Sequence, residues 1–593
     1  MSAVERFPVV LLWHMHQPHY RDALSGRYVL PWTYLHAIKD YVDMAAHLEA
    51  NPAARAVVNF APVLLEQLEE LAARVAAHLE RGEPLPDPVL ALLADAPLPP
   101  EPAARLALLR ACLRAERAHL IARYPAYAEL AELATSLGTL ERIGYASGQY
   151  LRDLGVWYHI AWLGETVKRT DARVAALIDH ARDFGAPQRR TLLALIGELL
   201  AGLLPRYRRL AERGQVELAV SPYAHPILPL LLDFNAARES SPGAPLPRAG
   251  QYPGGAQRAA WHLREALRVF ERCFGRRPAG CWPSEGAISA PALQLIEDCG
   301  FRWAASSANV LRGCLAANDG AADGAPASGA AANGAAADGA TGAGAAGEGT
   351  AAANVSRAWR VDGQRLRCVF RHDELSDLIG FTYSKWHGDD AVANFVAELE
   401  RVARREDGRR GRFVLVALDG ENAWEHYPFN GYYFLHGLYA VLAGHPTLRL
   451  ATLTELLDAG VDTAPLPRVV AGSWVNGTLA TWMGDRDKNA GWDLLVEAKR
   501  AVDAVLGGGG LAPERRAAIE HQLALCESSD WFWWFGDYNP YEAVRDFDEL
   551  YRHQLTSLYR LLGRAPPAAL AQPISVGRGA PEGGGVMRRA HER

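Results

Sequence analysis

Cysteine is scarce and forms no recognisable pattern: the seven, at positions 112, 273, 281, 299, 314, 368 and 526, are odd in number, and none stands in a CxxC pair. That argues against a disulfide framework or a thiolate zinc site and fits reduced thiols in a cytoplasm. An excess of charge of one sign is also lacking. Lys and Arg total 62 against 68 Asp and Glu, mixed along the chain, for a formal net charge of -6. No electrostatic footprint for nucleic acid or anionic lipid is therefore expected, and the substrate need not be charged. Near the N-terminus the apolar run Pro8–Trp13 follows Glu5 and Arg6 and stops at His14. It is too short for a signal peptide or a membrane span, so the expectation is a soluble, unexported, cytoplasmic protein.

What is present is a large apolar fraction, 49% of 593 residues, enough for two to four domains or one barrel with large additions. Short apolar runs that read as buried strands occur at Val9–Trp13, Ala56–Phe60, Val216–Val220, Gly280–Trp282, Phe301–Ala305, Leu366–Phe370, Phe413–Leu418 and Leu448–Thr452. Helical patterns such as Gln257–Phe274 and Ala391–Arg404 separate them, and seven or eight strand–helix units favour an α/β barrel. Two helical stretches interrupt the alternation: Pro102–Arg142, and a C-terminal block from about Lys488 to Leu562. The stretch Ala316–Ala353 is almost wholly Ala, Gly, Asp, Asn and Thr, too poor in apolar surface to offset its ordering entropy, and is expected to be disordered. The Pro-, Gly- and Arg-rich tail from about Ala565 reads the same way. The expected division is a catalytic domain over 1–465 with a helical insertion about 64–150 and the Ala/Gly-rich insertion, a helical domain over 466–563, and a disordered tail over 564–593.

In a parallel barrel the loops after the strands share one face, so polar residues far apart in sequence converge there. Four strand ends carry an unusual polar load: "WHMHQPHYRD", "ELAVSPYAHPILPLL", "CWPSEGAIS" and "LDGENAWEHYP". Glu285 follows a Trp-Pro pair at one of them, where it either caps the next helix or acts in catalysis. Asp419 is the first polar residue past the buried run Phe413–Leu418, where an Asp-Gly turn is the plainer explanation. Taken together they form a carboxylate pair, in which one residue attacks an anomeric carbon while the other protonates the leaving oxygen. His14 and His16 stand two apart and point the same way, a spacing that would also hold a metal if Glu217, His225 or Asp419 were recruited. Hydrogen bonding to sugar hydroxyls suits His16 and Gln17. Glu217 lies inside an apolar strand, so its carboxylate must pair with a cation or face the site. In "SDWFWWFGDY", Trp531, Trp534 and Phe535 share one helical face and read as core; an aromatic platform under a sugar ring is the alternative.

These motifs resemble glycoside hydrolase family 57 over roughly Val9 to Trp534, with "FRHDELSDLIGF", "GSWVNGTLATWMG" and "SDWFWWFGD" closest to its amylopullulanase-like and α-amylase-like members. The resemblance implies an incomplete (β/α)7 barrel followed by a helical bundle, and a retaining mechanism on an α-glucan or maltooligosaccharide with no cofactor and no catalytic metal. It makes Glu285 the nucleophile and Asp419 the acid/base. Substrate-binding candidates are His14, His16, Gln17, Glu217, His225, Trp282, Glu421, Trp424, Trp474, Asp530 and Trp531. Transfer to a sugar acceptor, as in a 4-α-glucanotransferase or a branching enzyme, is the alternative on the same site. A metal-dependent deacetylase or mannosidase type built on His14 and His16, and a glycan-binding protein without catalysis, are the competing readings.

Overall fold

The computed structural model describes residues 6–322, 355–421 and 424–579. Its centre is a ten-stranded sheet: β1 (Phe7–Met15), β2 (Ala56–Phe60), β3 (Val216–Val220), β4 (Gly280–Cys281), β5 (Trp303–Ser307), β6 (Ala358–Val361), β7 (Arg367–Arg371), β8 (Val414–Asp419), β9 (Leu448–Leu450) and β10 (Thr463–Leu466). Along the sheet the order is β10-β6-β7-β5-β4-β3-β2-β1-β8, with β9 on β1, and every pairing is parallel except β6 with β7. The eight expected apolar runs all lie on strands of this sheet. Burial on both faces explains their unbroken apolar character. Val10, Leu12, Val57, Ala219, Ala305, Val369, Leu415 and Ala417 fill the inside of the curl, while Val9, Leu11, Trp13, Val58 and Val416 pack outward against helices.

The curl nearly closes, giving an incomplete (β/α)7 barrel. Between β7 and β8 there is no strand ladder. The seam is instead bridged after β7, where the His372 N–H donates to Leu415 O (2.7 Å), the Ala417 N–H donates to Ser376 Oγ (3.2 Å) and the Arg371 guanidinium donates to Ala417 O (3.1 Å). Glu217 points into the barrel two residues below Ala219, at the floor. There it accepts hydrogen bonds from Trp303 Nε1 (2.8 Å), Thr454 N–H (2.8 Å) and Thr454 Oγ (2.6 Å), and burial raises its pKa. Those donors satisfy the carboxyl without a cation, so it closes the floor, away from the mouth to which its place in the sequence had assigned it.

The helix Pro62–Arg81 and the helix Ala186–Glu212 pack together beside the barrel, and the segments between them form the inserted helical layer. The expected helical stretch Pro102–Arg142 is broken into Pro102–Ala111, a π-turn at Arg117–Ile121 and Pro125–Leu137, each helix starting at a proline that is welcome in a first turn. The C-terminal helices Arg486–Gly507, Pro513–Cys526 and Tyr541–Leu561 form a bundle. Part of the expected disordered tail is docked on it. Leu570 is buried, Asp548 accepts the N–H groups of Ile574 (2.8 Å) and Ser575 (3.1 Å), and Ser575 Oγ bonds Asp487 (3.0 Å). The helix Ala308–Ala322 runs past Ala316 into the Ala/Gly-rich stretch; residues 323–353, like 580–593, lie outside the described residues. Among the described residues no helix is long and apolar enough to cross a membrane.

Candidate active site

Parallel register puts one polar layer at the barrel mouth. His14 on β1 is opposite Asp419 on β8 and Asn59 on β2, and Ser221 and Trp282 follow at the ends of β3 and β4. Asn59 Nδ2 donates to His14 Nδ1 (2.7 Å) and to Ser221 Oγ (2.9 Å), and Ser221 donates to Trp282 O (2.8 Å). With its Nδ1 accepting, His14 carries its proton on Nε2, 3.2 Å from His225 Nε2. His225 accepts there and donates from Nδ1 to Ser529 Oγ (3.0 Å). Burial first, then the neighbouring imidazoles, push both pKa values well below the ordinary range. Both rings are thus neutral, with fixed tautomers.

Glu285 and His225 both stand on left-handed backbone, φ 57° and 59°, which costs a non-glycine residue about 1–2 kcal/mol. At Glu285 that turn tips the carboxylate into the mouth. Trp474 locks it there, its backbone N–H bonding Glu285 O (3.0 Å) and its indole N–H bonding Oε2 (2.8 Å). Trp474 packs edge-on to Trp282 and lies under the Arg371 guanidinium. Burial, then the charges of Asp419 and Asp530, push the Glu285 carboxyl well above the usual carboxylate range, against the opposing Trp474 bond. Asp419, half-buried at the end of β8, therefore shares one site with Glu285.

The C-terminal helical segment supplies the third side. Asp530 faces His16 Nε2 with both oxygens at 3.0 Å, and the His16 ring stacks on His225 with centroids 3.8 Å apart. Three residues upstream, Glu527 is buried against Tyr252, Arg258 and His262; against the burial that would raise it, Arg258 and His262 hold its pKa down to about 2. This ion pair fixes the segment that delivers Ser529 and Asp530.

The loop after Asp419 is clamped at both ends by one buried π-turn, Ala37–Tyr41, a local geometry frequent at functional sites. Tyr41 OH donates to Glu421 Oε1 (3.2 Å), which also accepts from the His16 N–H (3.1 Å) and Gln17 Nε2 (3.2 Å). Lys39 Nζ bonds Asn430 Oδ1 (3.1 Å), whose Nδ2 donates to Asp43 (3.0 Å). Between them Phe429, Asn430 and Gly431 form a left-handed run, φ 55°, 53° and 69°. Gly420 and Gly431 are needed for space: a Cβ would come 2.2 Å from Met15 Sδ at the first and 2.6 Å from the Trp424 ring at the second.

Of the residues named from the sequence, Glu285, Asp419, His14, His16, His225, Trp282, Trp474 and Asp530 come together at the mouth, while Gln17 and Glu421 form the support beside it. Glu217, at the floor, does not join them. Trp424 is also a correction: it is buried against Trp13 and Tyr427 and bonds Gly420 O (2.9 Å), stapling the loop without facing substrate. Trp531 is a third, buried against Tyr551 and bonded to Leu525 O (3.0 Å). All of Trp531–Phe535 is core. Asn59, Ser221, Arg371, Ser529, Lys39 and Tyr41 were not foreseen; a single polar residue closing an apolar run was the available signal for the first two. Among the described residues, the atoms that could hold a metal are those of His16, His225 and Asp530, mutually within 4.8 Å, and not a His14–His16 pair; both His225 nitrogens are already engaged by His14 and Ser529. Among the described residues, five buried polar atoms here have no protein partner: His16 Nδ1, Asn59 Oδ1, Trp282 Nε1, Ser284 Oγ and Glu421 Oε2.

Solved structures share this fold. A family 57 branching enzyme of Thermococcus kodakaraensis, in complex with glucose, is similar at 15% identity and TM-score 0.56, over 94% of this chain and 90% of that one. A second branching enzyme, from Pyrococcus horikoshii, has 14% identity and TM-score 0.53 over 97% and 99% of the two chains. The α-amylase AmyC of Thermotoga maritima has 12% and 0.55, over 94% and 93%. No curated protein matches the chain by sequence. The model of glycosyl hydrolase family 57 matches residues 10–466, a span that holds both carboxylates and all of the barrel but the start of β1, and the chain belongs to that family.

Proposed function

We propose that this protein is a retaining α-glucan hydrolase, with Glu285 as nucleophile and Asp419 as acid/base. The observation that carries the reading is the setting of Glu285: a buried carboxylate on a strained turn, held by one indole N–H and facing the charge of Asp419. In the first step the ionised Glu285 attacks the anomeric carbon while Asp419 protonates the leaving oxygen. In the second, Asp419 takes a proton from water, which displaces Glu285 from the glycosyl-enzyme. Asp419 and Glu285 face each other across the site, and the charge of Asp419 is one of the causes that raise the Glu285 pKa. The neutral imidazoles of His14 and His225 suit uncharged hydroxyl groups. Solved relatives that share the fold include two branching enzymes and an α-amylase, which supports an α-glucan as substrate. Transfer to a sugar acceptor uses the same two carboxylates, with a glucan hydroxyl replacing water. Product analysis on amylose, pullulan and maltooligosaccharides tests the reading. Shortened α-1,4 chains with a matching rise in reducing ends are expected; redistributed chain lengths without new reducing ends would assign a transferase, and no change in any of these glucans would refute the proposal.

A further inference from the structure

A second hollow, about 470 Å³, opens on the catalytic face of the barrel, lined by Glu116, His119, Lys385, Trp386, His426 and Pro428. Its walls come from three places: the helical insertion, the segment after β7, and the loop that begins at Asp419. Its volume lies within the range of small-molecule sites, about 300–1,000 Å³. Trp386 is 40% exposed, a large apolar ring left open to solvent. It is also held still. Its ring stands edge-on to buried Tyr383 with centroids 5.3 Å apart, its backbone N–H bonds Tyr383 O (3.0 Å), and Tyr383 OH donates to Asn394 Oδ1 (2.7 Å). The walls are tied to one another as well. Tyr427 OH donates to Ile379 O (2.6 Å), joining the Asp419 loop to the segment after β7, and Arg123 of the insertion lies 4.7 Å from the Phe429 ring. The hollow is therefore formed before any ligand arrives, which lowers the cost of binding.

Its lining combines one aromatic face with imidazole, ammonium and carboxylate groups, so charges of both signs border it. That mixture suits a neutral ligand with an apolar face and many hydroxyls better than an ion of either sign. The geometry points to a second carbohydrate site, in which a glucosyl unit of a long α-glucan stacks on Trp386 while the flanking polar groups bond its hydroxyls. The inference rests on the α-glucan reading of the barrel mouth and adds to it a hold on polymers outside that mouth. His426 and Pro428 belong to the same loop as Asp419, so a chain bound here stays beside the catalytic centre.

The test uses amylose as the long probe and short maltooligosaccharides as the control. Amylose affinity is measured by affinity electrophoresis in a Glu285→Gln background, so that no chain is cut, and short-substrate kcat/KM is measured with Glu285 in place. Trp386→Ala is expected to weaken amylose binding about tenfold, the worth of one aromatic stacking contact, and Trp386→Tyr to restore most of it. Turnover of short maltooligosaccharides should stay within about twofold of wild type, because none of the residues gathered at the barrel mouth lines this hollow. Unchanged amylose affinity in Trp386→Ala, with short substrates still turned over, overturns the second site and leaves the α-glucan reading standing. A parallel loss of short-substrate turnover that Trp386→Tyr does not recover also overturns it, since the ring then serves the fold or the centre itself. No amylose binding and no turnover with Trp386 intact overturns both readings.

Discussion

Replacing Asn430 separates the two forces that hold the loop carrying Asp419. Asn430 is buried at φ 53°, and its amide bridges the Lys39 ammonium (3.1 Å) and the Asp43 carboxylate (3.0 Å). Asn430→Gly removes both bonds while keeping a residue at ease in the left-handed region. Hydrogen bonds to charged groups contribute about 1.5–3 kcal/mol each. Lys39 keeps Asp40 (2.6 Å), and Asp43 keeps the N–H groups of Glu165 (2.7 Å) and Thr166 (3.0 Å). With those partners left, the loss should fall near the lower end, about 3 kcal/mol in all. Asn430→Ala loses the same bonds and adds the Cβ clash of left-handed backbone, for about 1 kcal/mol more than the glycine variant. Hydrogen exchange of the amides at 424–435 reads local opening directly. Protection there should fall about 100-fold in Asn430→Gly and about fivefold further in Asn430→Ala, with the C-terminal bundle unchanged. Turnover should fall with it, by about tenfold or more, because a small misplacement of an acid/base group is costly. Equal protection in the two variants would refute the strain argument, and wild-type turnover in both would refute the claim that this clamp positions Asp419.

Glu285→Gln should lose turnover by orders of magnitude, since an amide of the same shape does not attack the anomeric carbon; a rate above about a tenth of wild type would remove it as nucleophile. The same variant should melt at or above wild type at neutral and alkaline pH. A carboxyl whose pKa is raised on folding adds stability only at low pH and loses it as pH climbs through the raised value, a loss that Gln does not suffer. Asp530→Asn removes one of the charges that raise the Glu285 pKa, so the acid limb of kcat/KM, where the nucleophile must be ionised, should move to lower pH; a limb that stays or moves upward would contradict this. Prolonged treatment with a chelator should leave activity unchanged, because double displacement needs no Lewis acid; loss restored by zinc would favour a metal on His16, His225 and Asp530.

Strands were legible because a parallel sheet buried on both faces leaves unbroken apolar runs, and the two carboxylates and His14 stood out where those runs ended. β6 and β10, which extend the sheet beyond β7, were missed: Ala358–Val361 holds an exposed Arg360, and Thr463–Leu466 has an exposed Pro465, so neither reads as a buried strand. Depth along a strand is also invisible without its pairing. Glu217 shares a barrel-facing parity with Ala219, but only the register places it at the floor, beside Trp303 and Thr454. Tryptophans were the least readable group. Trp474 and Trp531 look alike in sequence, yet one bonds the Glu285 carboxylate and the other fills the C-terminal core, because ring direction is set by tertiary packing. The tail past Ala565 looked too polar to order, and its docking depends on Asp548 and Asp487, which nothing local announces.

The stereochemistry of the first product tests the pairing of Glu285 and Asp419 most directly. Attack by Glu285 and then by water activated by Asp419 inverts the anomeric carbon twice, so an α-linked chain must first release the α-anomer. Proton NMR of amylose digests, read before mutarotation, resolves the two forms. Initial α-anomeric sugar is the predicted result; initial β-anomer would mean a single displacement by water and would contradict the assignment of Glu285 as a nucleophile.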